Sequence, residues 1–218
     1  MKKNILCFGD SNTHGYCAAN GGRFDETQRW TCLLQDFLGD SYYVIEEGLN
    51  GRTTVFEDPL EEGMSGLSAI YPCMKSHKPL DLLIIMLGTN DTKERFHANS
   101  QVIAKGLERL TAKALSYQDA WRNHPNVLII APAPIDPRIE DTFAAGEMGA
   151  GCAEKSSELA DWYLDVADRL DCHFLDAGAL NLSVYPTDYM HLDARSHQKL
   201  AHHLAALIPT LLVWSVDN

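Results

Sequence analysis

Apolar positions along the chain follow two alternating patterns. Continuous runs at residues 5–8, 43–45, 80–87 and 127–131, and a weaker one at 173–175 before Asp176, end in turn-forming residues. They lack the alternation of a half-exposed strand, which predicts strands covered on both faces of a parallel sheet. Between them the spacing becomes helical. Trp30, Leu33, Leu34, Phe37 and Leu38 share one face before Gly39, and Ile103, Leu107, Leu110 and Leu115 share another after a polar turn at 90–93. Leu159, Trp162, Tyr163, Val166 and Leu170 mark a third helix, and Leu200, His203, Leu204 and Leu207 a last one, with Asp193 as its cap.

Strands alternating with helices predict an α/β fold, a three-layer α/β/α arrangement around five mostly parallel strands with right-handed crossovers. No Ser-, Gly- or Pro-rich linker divides the sequence, so a single domain over residues 1–218 is expected. Ligands of such folds bind beyond the carboxyl ends of the strands. The unusual residues of this chain fall there.

Charge narrows the partners. Thirty acidic against 18 basic side chains give a formal net charge of −12, which argues against nucleic acid and against an anionic membrane surface. The opening apolar run stops at Gly9-Asp10, short of the roughly 7–15 residues of a signal-peptide core. No apolar stretch reaches the roughly 20 residues of a membrane span. Cys7, Cys17, Cys32, Cys73, Cys152 and Cys172 form no CxxC pair, so neither a zinc site nor a disulfide framework is indicated, and a reducing, cytoplasmic setting is expected.

Four segments carry candidate chemistry. Gly9-Asp10-Ser11-Asn12-Thr13-His14-Gly15 follows the first strand; its residues suit an ordinary turn, and it is neither a GxSxG elbow nor a phosphate-binding loop. In the segment from Glu46 to Thr54, Gly48 reads as a positive-φ loop residue, whereas Gly51 without a Cβ would let its N–H approach a substrate oxygen. Gly88-Thr89-Asn90-Asp91-Thr92-Lys93 places the amide of Asn90 at the sheet edge, where it could cap a helix or stabilise an oxyanion. Asp188-Tyr189-Met190-His191 precedes the last helix; a carboxylate three residues before an imidazole can orient it as the base of a nucleophilic serine.

In their order and at their strand ends, Gly9-Asp10-Ser11, Gly51, Gly88-Thr89-Asn90-Asp91 and Asp188-x-x-His191 resemble the four blocks of the SGNH (GDSL-like) hydrolase family. The stretches at 5–11, 44–49, 52–54 and 84–93 look closest to its bacterial arylesterase and acyltransferase branch. The resemblance implies a flavodoxin-like fold and a serine esterase acting on short-chain, acetyl-type esters through an acyl-enzyme, with transfer to alcohols or peroxide as a side activity. It implies Ser11 as nucleophile, His191 as base and then acid, Asp188 as its orienter, and an oxyanion hole of the Ser11 and Gly51 N–H groups with the Asn90 amide. By the same analogy Asn12, His14, Tyr16, Lys93 and Met190 line the pocket, although Asn12 and His14 depart from the Leu and Trp common in relatives. A small ester is the expected partner, no cofactor is implied, and the branch suggests a homo-oligomer. Rival readings are a carbohydrate O-deacetylase and a non-catalytic flavodoxin-like protein holding phosphate at the Ser11 loop.

Other features invite blander readings. His202 and His203 point about 100° apart on a helix and do not converge on a metal. Trp30 and Trp162 belong to apolar stripes, while Trp121 and Trp214 stay open as stacking platforms. The acidic run at 57–62 suits a solvated loop. The Pro- and Gly-rich segment 132–151, with Phe143 and Met148, suits a pocket wall or subunit contact.

Overall fold

The structure, a computed structural model, describes residues 1–212; Trp214 lies outside them. Five parallel strands form the central sheet: β1 (Lys3–Gly9), β2 (Tyr42–Gly48), β3 (Leu82–Met86), β4 (Val127–Ala131) and β5 (His173–Asp176). Their spatial order is β2-β1-β3-β4-β5. Register sets Ile5 between Val44 and Leu82, so the first strand of the chain lies in the interior of the sheet, one strand from its edge. This is the doubly wound flavodoxin-like order, whose switch point lies where connections leave β1 and β3 toward opposite edges.

Alternate strand residues feed two cores. Leu6, Phe8, Leu83, Ile85 and Ile129 face α2 (Gly66–His77), α3 (Ser100–Ser116) and α4 (Leu159–Leu170). Ile5, Cys7, Leu82, Ile84 and Leu128 face α1 (Trp30–Leu38) and α5 (Ala194–Leu211). The continuous apolar runs of the sequence are thus strands buried on both faces.

Several boundaries differ from the sequence expectations. The run at 80–87 pairs as a strand only over Leu82–Met86, because Leu80 makes an isolated bridge to Trp121 and Leu87 is buried beyond the ladder. Helix α3 begins at Ser100, capped by Asn99, whose side chain accepts from Val102 N. Helix α2 was not foreseen: Pro72 lies inside it and no side chain caps it, so its local signals conflict. In α5 the buried histidine is His197, whereas His203 is exposed; the Asp193 cap accepts from Ser196 N at 2.8 Å. His202 stacks on Phe37 with ring centroids 4.0 Å apart. Trp121 is buried and belongs to the core rather than to a stacking platform. No helix among the described residues is long and apolar enough to cross a membrane.

Strands β1 and β2 both end in glycine, and packing explains why. The four-residue helix Ser11–His14 lies directly on their ends: a Cβ at Gly9 would sit 2.1 Å from Thr13 Oγ1, and one at Gly48 2.1 Å from His14 N. Gly48 therefore serves close backbone approach, not positive φ; in that loop the left-handed residue is Gly51, at φ +82°. Backbone cannot escape a clash by changing rotamer. Gly48→Ala is accordingly expected to cost about 3 kcal/mol, the upper end for overpacking, in urea unfolding. A loss below about 0.5 kcal/mol would mean that the Ser11 helix is free to shift.

Candidate active site

Ser11 opens the short helix immediately after β1. Asp10 caps it through Oδ1, which accepts from Asn12 N at 3.0 Å, and Gly15 ends it in the left-handed conformation. Consecutive helical residues are rotated by about 100°, so the side chains of Ser11 and Asn12 part. Ser11 faces a cavity, while Asn12 turns into the protein, where its Oδ1 accepts from Leu192 N at 2.9 Å. That bond ties the first segment to the last.

The last segment is folded around Asp188. Its Oδ1 accepts from the backbone N–H groups of Met190 and His191, each at 3.1 Å, and its Oδ2 accepts from His191 Nδ1 at 2.6 Å. The other imidazole nitrogen, Nε2, lies 2.8 Å from Ser11 Oγ. Burial opposes the Asp188 charge, but the His191 ring and the two N–H groups more than offset it and hold the carboxyl below its ordinary value. An ionised Asp188 on Nδ1 leaves Nε2 as the acceptor for the Ser11 hydroxyl proton. The three side chains thus form a continuous hydroxyl–imidazole–carboxylate chain in hydrogen-bond contact.

Opposite them stand Gly51 and Asn90. Asn90 Nδ2 donates to Arg52 O at 3.2 Å, which fixes the amide and leaves its second hydrogen available on the cavity side. Asp91 accepts from Thr54 N at 2.9 Å and from the Thr54 hydroxyl, and Arg52 Nη1 donates to Gly9 O at 3.0 Å and to Glu47 O. The third segment therefore grips the second, and the second grips the first. Gly88, at φ +128°, has no room for a side chain: a Cβ would lie 2.2 Å from Tyr163 Oη.

The cavity, about 290 Å³, brings together Ser11, Gly51, Asn90, Asp188 and His191. Of the residues expected to line it, Tyr16, Lys93 and Met190 do. The Tyr16 ring lies 4.5 Å from the His191 ring, centroid to centroid. Asn12 and His14 do not: Asn12 is committed to Leu192, and His14 packs beside the end of β2 with its carbonyl accepting from Arg23 Nε. Lys93 is pinned between Glu147 at 2.9 Å and the buried Asp58 at 3.6 Å. The acidic run at 57–62 is consequently not all solvated: Asp58 also binds Arg95, and Glu61 reaches the cavity. Segment 132–151 supplies Phe143, Ala144, Glu147 and Met148 to the wall. Asn50, Glu61 and Glu147 carried no sequence signal, since their approach depends on how two distant loops fold together.

The profile of the GDSL-like lipase/acylhydrolase family matches residues 7–199. The chain belongs to this family of SGNH hydrolases and is a carboxylic ester hydrolase. Among solved structures it is similar to a carbohydrate acetylesterase family member from Sinorhizobium meliloti, with 38% identity, 96% of this chain and 99% of that one covered, and a TM-score of 0.87. It is similar also to the aryl esterase of M. smegmatis, at 35% identity, 96% and 100% coverage and a TM-score of 0.85. A putative arylesterase from Agrobacterium tumefaciens str. C58 matches with the same identity, coverage and TM-score. A comparison with curated protein sequences gives no match.

Two further carboxyls are buried close to the site. Burial pushes Asp10 up to about 6 and Asp91 up to about 7, against the hydrogen bonds from Asn12 and Thr54. The folded protein holds the Asp91 proton toward pH 7, whereas an unfolded chain releases it near 3.8, so this group subtracts stability as pH rises across that window. Asp91→Asn cannot ionise. Its stability relative to the wild type is expected to rise steadily between pH 4 and pH 7, followed by denaturant unfolding at several pH values. Parallel curves for the two proteins would contradict the raised value.

Proposed function

We propose that the chain hydrolyses short-chain, acetyl-type esters through an acyl-enzyme, with Ser11 as nucleophile, His191 as general base and then acid, and Asp188 as orienter. The observation that carries this reading is the 2.8 Å contact of Ser11 Oγ with an imidazole whose other nitrogen is bound to a carboxylate, all inside one cavity. His191 takes the Ser11 proton as Oγ attacks the ester carbonyl, and the oxygen then bears the charge. The N–H groups of Ser11 and Gly51 and the free hydrogen of the Asn90 amide receive that charge. His191 next delivers the proton to the departing alcohol. Water repeats the sequence on the acyl-enzyme and releases the acid, while an alcohol or peroxide in its place would give acyl transfer.

The cavity volume, about 290 Å³, is small for a ligand site and supports a small acyl group. Tyr16, Phe143, Met148 and Met190 suit an apolar portion, and Asn50, Glu61 and Glu147 suit hydroxyl groups. The second set, together with the similarity to a carbohydrate acetylesterase family member, favours an acetylated sugar as a second reading for the alcohol. A phosphate-holding role receives no such support, because Asp10 occupies the N-terminus of the Ser11 helix and Glu61 and Glu147 add negative charge. We further read residues 1–218 as one domain, kept in the cytoplasm where its six unpaired cysteines stay reduced. A homo-oligomer is consistent with the strongly exposed Leu60 and Phe143.

Kinetics test the roles. Asn90→Ala is expected to lower kcat by about 10² to 10³-fold with little change in KM, as for loss of one oxyanion donor. His191→Ala is expected to lower kcat by about 10⁴-fold or more with the fold intact. A His191→Ala variant retaining a few per cent of wild-type kcat would remove His191 as base. Comparison of kcat/KM for acetylated oligosaccharides with that for p-nitrophenyl acetate separates the two substrate readings: a preference for the sugar ester selects the deacetylase, and its absence selects the general esterase.

A further inference from the structure

One cluster of ligating side chains lies outside the cavity, where the end of β2 meets α2. Glu47 is the penultimate residue of β2, and Cys73 and His77 are one helical turn apart on α2. Residues at i and i+4 of a helix lie on one face, so the thiol and the imidazole approach the carboxylate together. Glu47 Oε1 and His77 Nε2 are 2.8 Å apart, and the ligating atoms of all three residues lie within 4.8 Å of one another. The Glu47 and His77 side chains are each about one-third exposed and Cys73 is half-buried, so an ion would have a path from solvent.

We propose that Glu47, Cys73 and His77 form a binding site for one divalent transition-metal ion of borderline softness, of the zinc class. The donor set is one sulfur, one nitrogen and one oxygen, the mixture that zinc and its neighbours take in preference to calcium or magnesium. Ligand bonds of about 2.0 to 2.3 Å at tetrahedral angles separate donor atoms by roughly 3.3 to 3.6 Å. The Glu47–His77 spacing of 2.8 Å is shorter than that range and all three donors lie within 4.8 Å of one another, so rotations of three partly exposed side chains would be needed to reach it. The thiol gives its proton to solvent as the sulfur–metal bond forms. Thiolate and carboxylate then cancel the two positive charges, the neutral imidazole adds its Nε2 lone pair, and water fills the fourth position.

Burial and the Glu47 carboxylate push the Cys73 thiol up to about 12, with neighbouring Arg52 working against them, so the ion itself must displace the thiol proton. The Arg52 guanidinium is already engaged with the carbonyl oxygens of Gly9 and Glu47. An ion in this position would fasten the last turn of α2 to β2, beside the loop that carries Gly51. The site shares no residue with the Ser11 cavity and does not rest on the catalytic reading.

Purified full-length protein, stripped with a chelator under reducing conditions, tests the proposal by titration with Zn²⁺ and with Cd²⁺. One equivalent should bind, Cd²⁺ should produce an ultraviolet sulfur-to-metal charge-transfer band, and Zn²⁺ should raise the melting temperature. Cys73→Ser should abolish the band. His77→Ala should weaken binding by more than about 100-fold, since even loss of an outer-shell partner costs 10 to 100-fold. Cys32→Ser and Cys172→Ser, at the other half-exposed cysteines, should leave binding unchanged. Absence of saturable binding in the wild type, or a band that survives in Cys73→Ser or is lost in Cys172→Ser, would overturn it. Circular dichroism of each stripped variant shows that its fold is retained, and the His77→Ala result stands if Cys73→Ser fails to fold.

Discussion

A hydrogen bond of 2.8 Å joins Ser11 to His191 across 180 residues of chain, and most of the architecture around the site serves to hold it. The bond requires that the first strand end beside the loop before the last helix. Placing β1 in the interior of the sheet, with α5 packed against its face, meets that requirement. Fine adjustment comes from a second set of bonds. Asn12 holds Leu192, Asp91 holds Thr54, Asn90 holds Arg52 and Arg52 holds Gly9, so each segment at the sheet edge is fixed by a backbone group of another. Such cross-linking keeps reacting groups within the tolerance that catalysis demands.

The same region concentrates buried charge and divides it by role. Asp188 is kept ionised by the hydrogen bonds of His191 and Met190, whereas Asp10 and Asp91 are raised because burial outweighs their donors. One Asp10 oxygen has no hydrogen-bond partner among the described residues. Lys93 is balanced by Asp58 and Glu147, which removes its charge as a simple attractant for anions while leaving its chain in the cavity wall.

Much of this was legible in the sequence, and the rest was hidden for identifiable reasons. The strands could be read because burial on both faces leaves continuous runs such as Leu82–Met86. Ser11, Gly51, Asn90, Asp188 and His191 could be singled out because their chemistry recurs at strand ends in one order. Asn12 and His14 were misplaced because sequence proximity to Ser11 does not give direction around a one-turn helix. Helix α2 was missed where Pro72 interrupts a pattern that tertiary packing of Ile70 and Met74 restores. Gly48 meets the backbone of His14 instead of taking positive φ, which falls to the cavity residue Gly51, since sequence does not show which glycine of a loop packs against another backbone. The joint role of Asp58, Lys93 and Glu147 depends on loops that meet only in the folded chain.

The central claim is that Ser11 is a nucleophile activated by His191 and Asp188. Its most direct measurement is mass spectrometry of the folded protein after exposure to a fluorophosphonate, followed by peptide mapping. The account predicts one adduct per chain, located on Ser11, and little labelling in Asp188→Asn under the same conditions. A folded wild-type protein that leaves Ser11 unmodified, or carries the adduct on another residue, would contradict it.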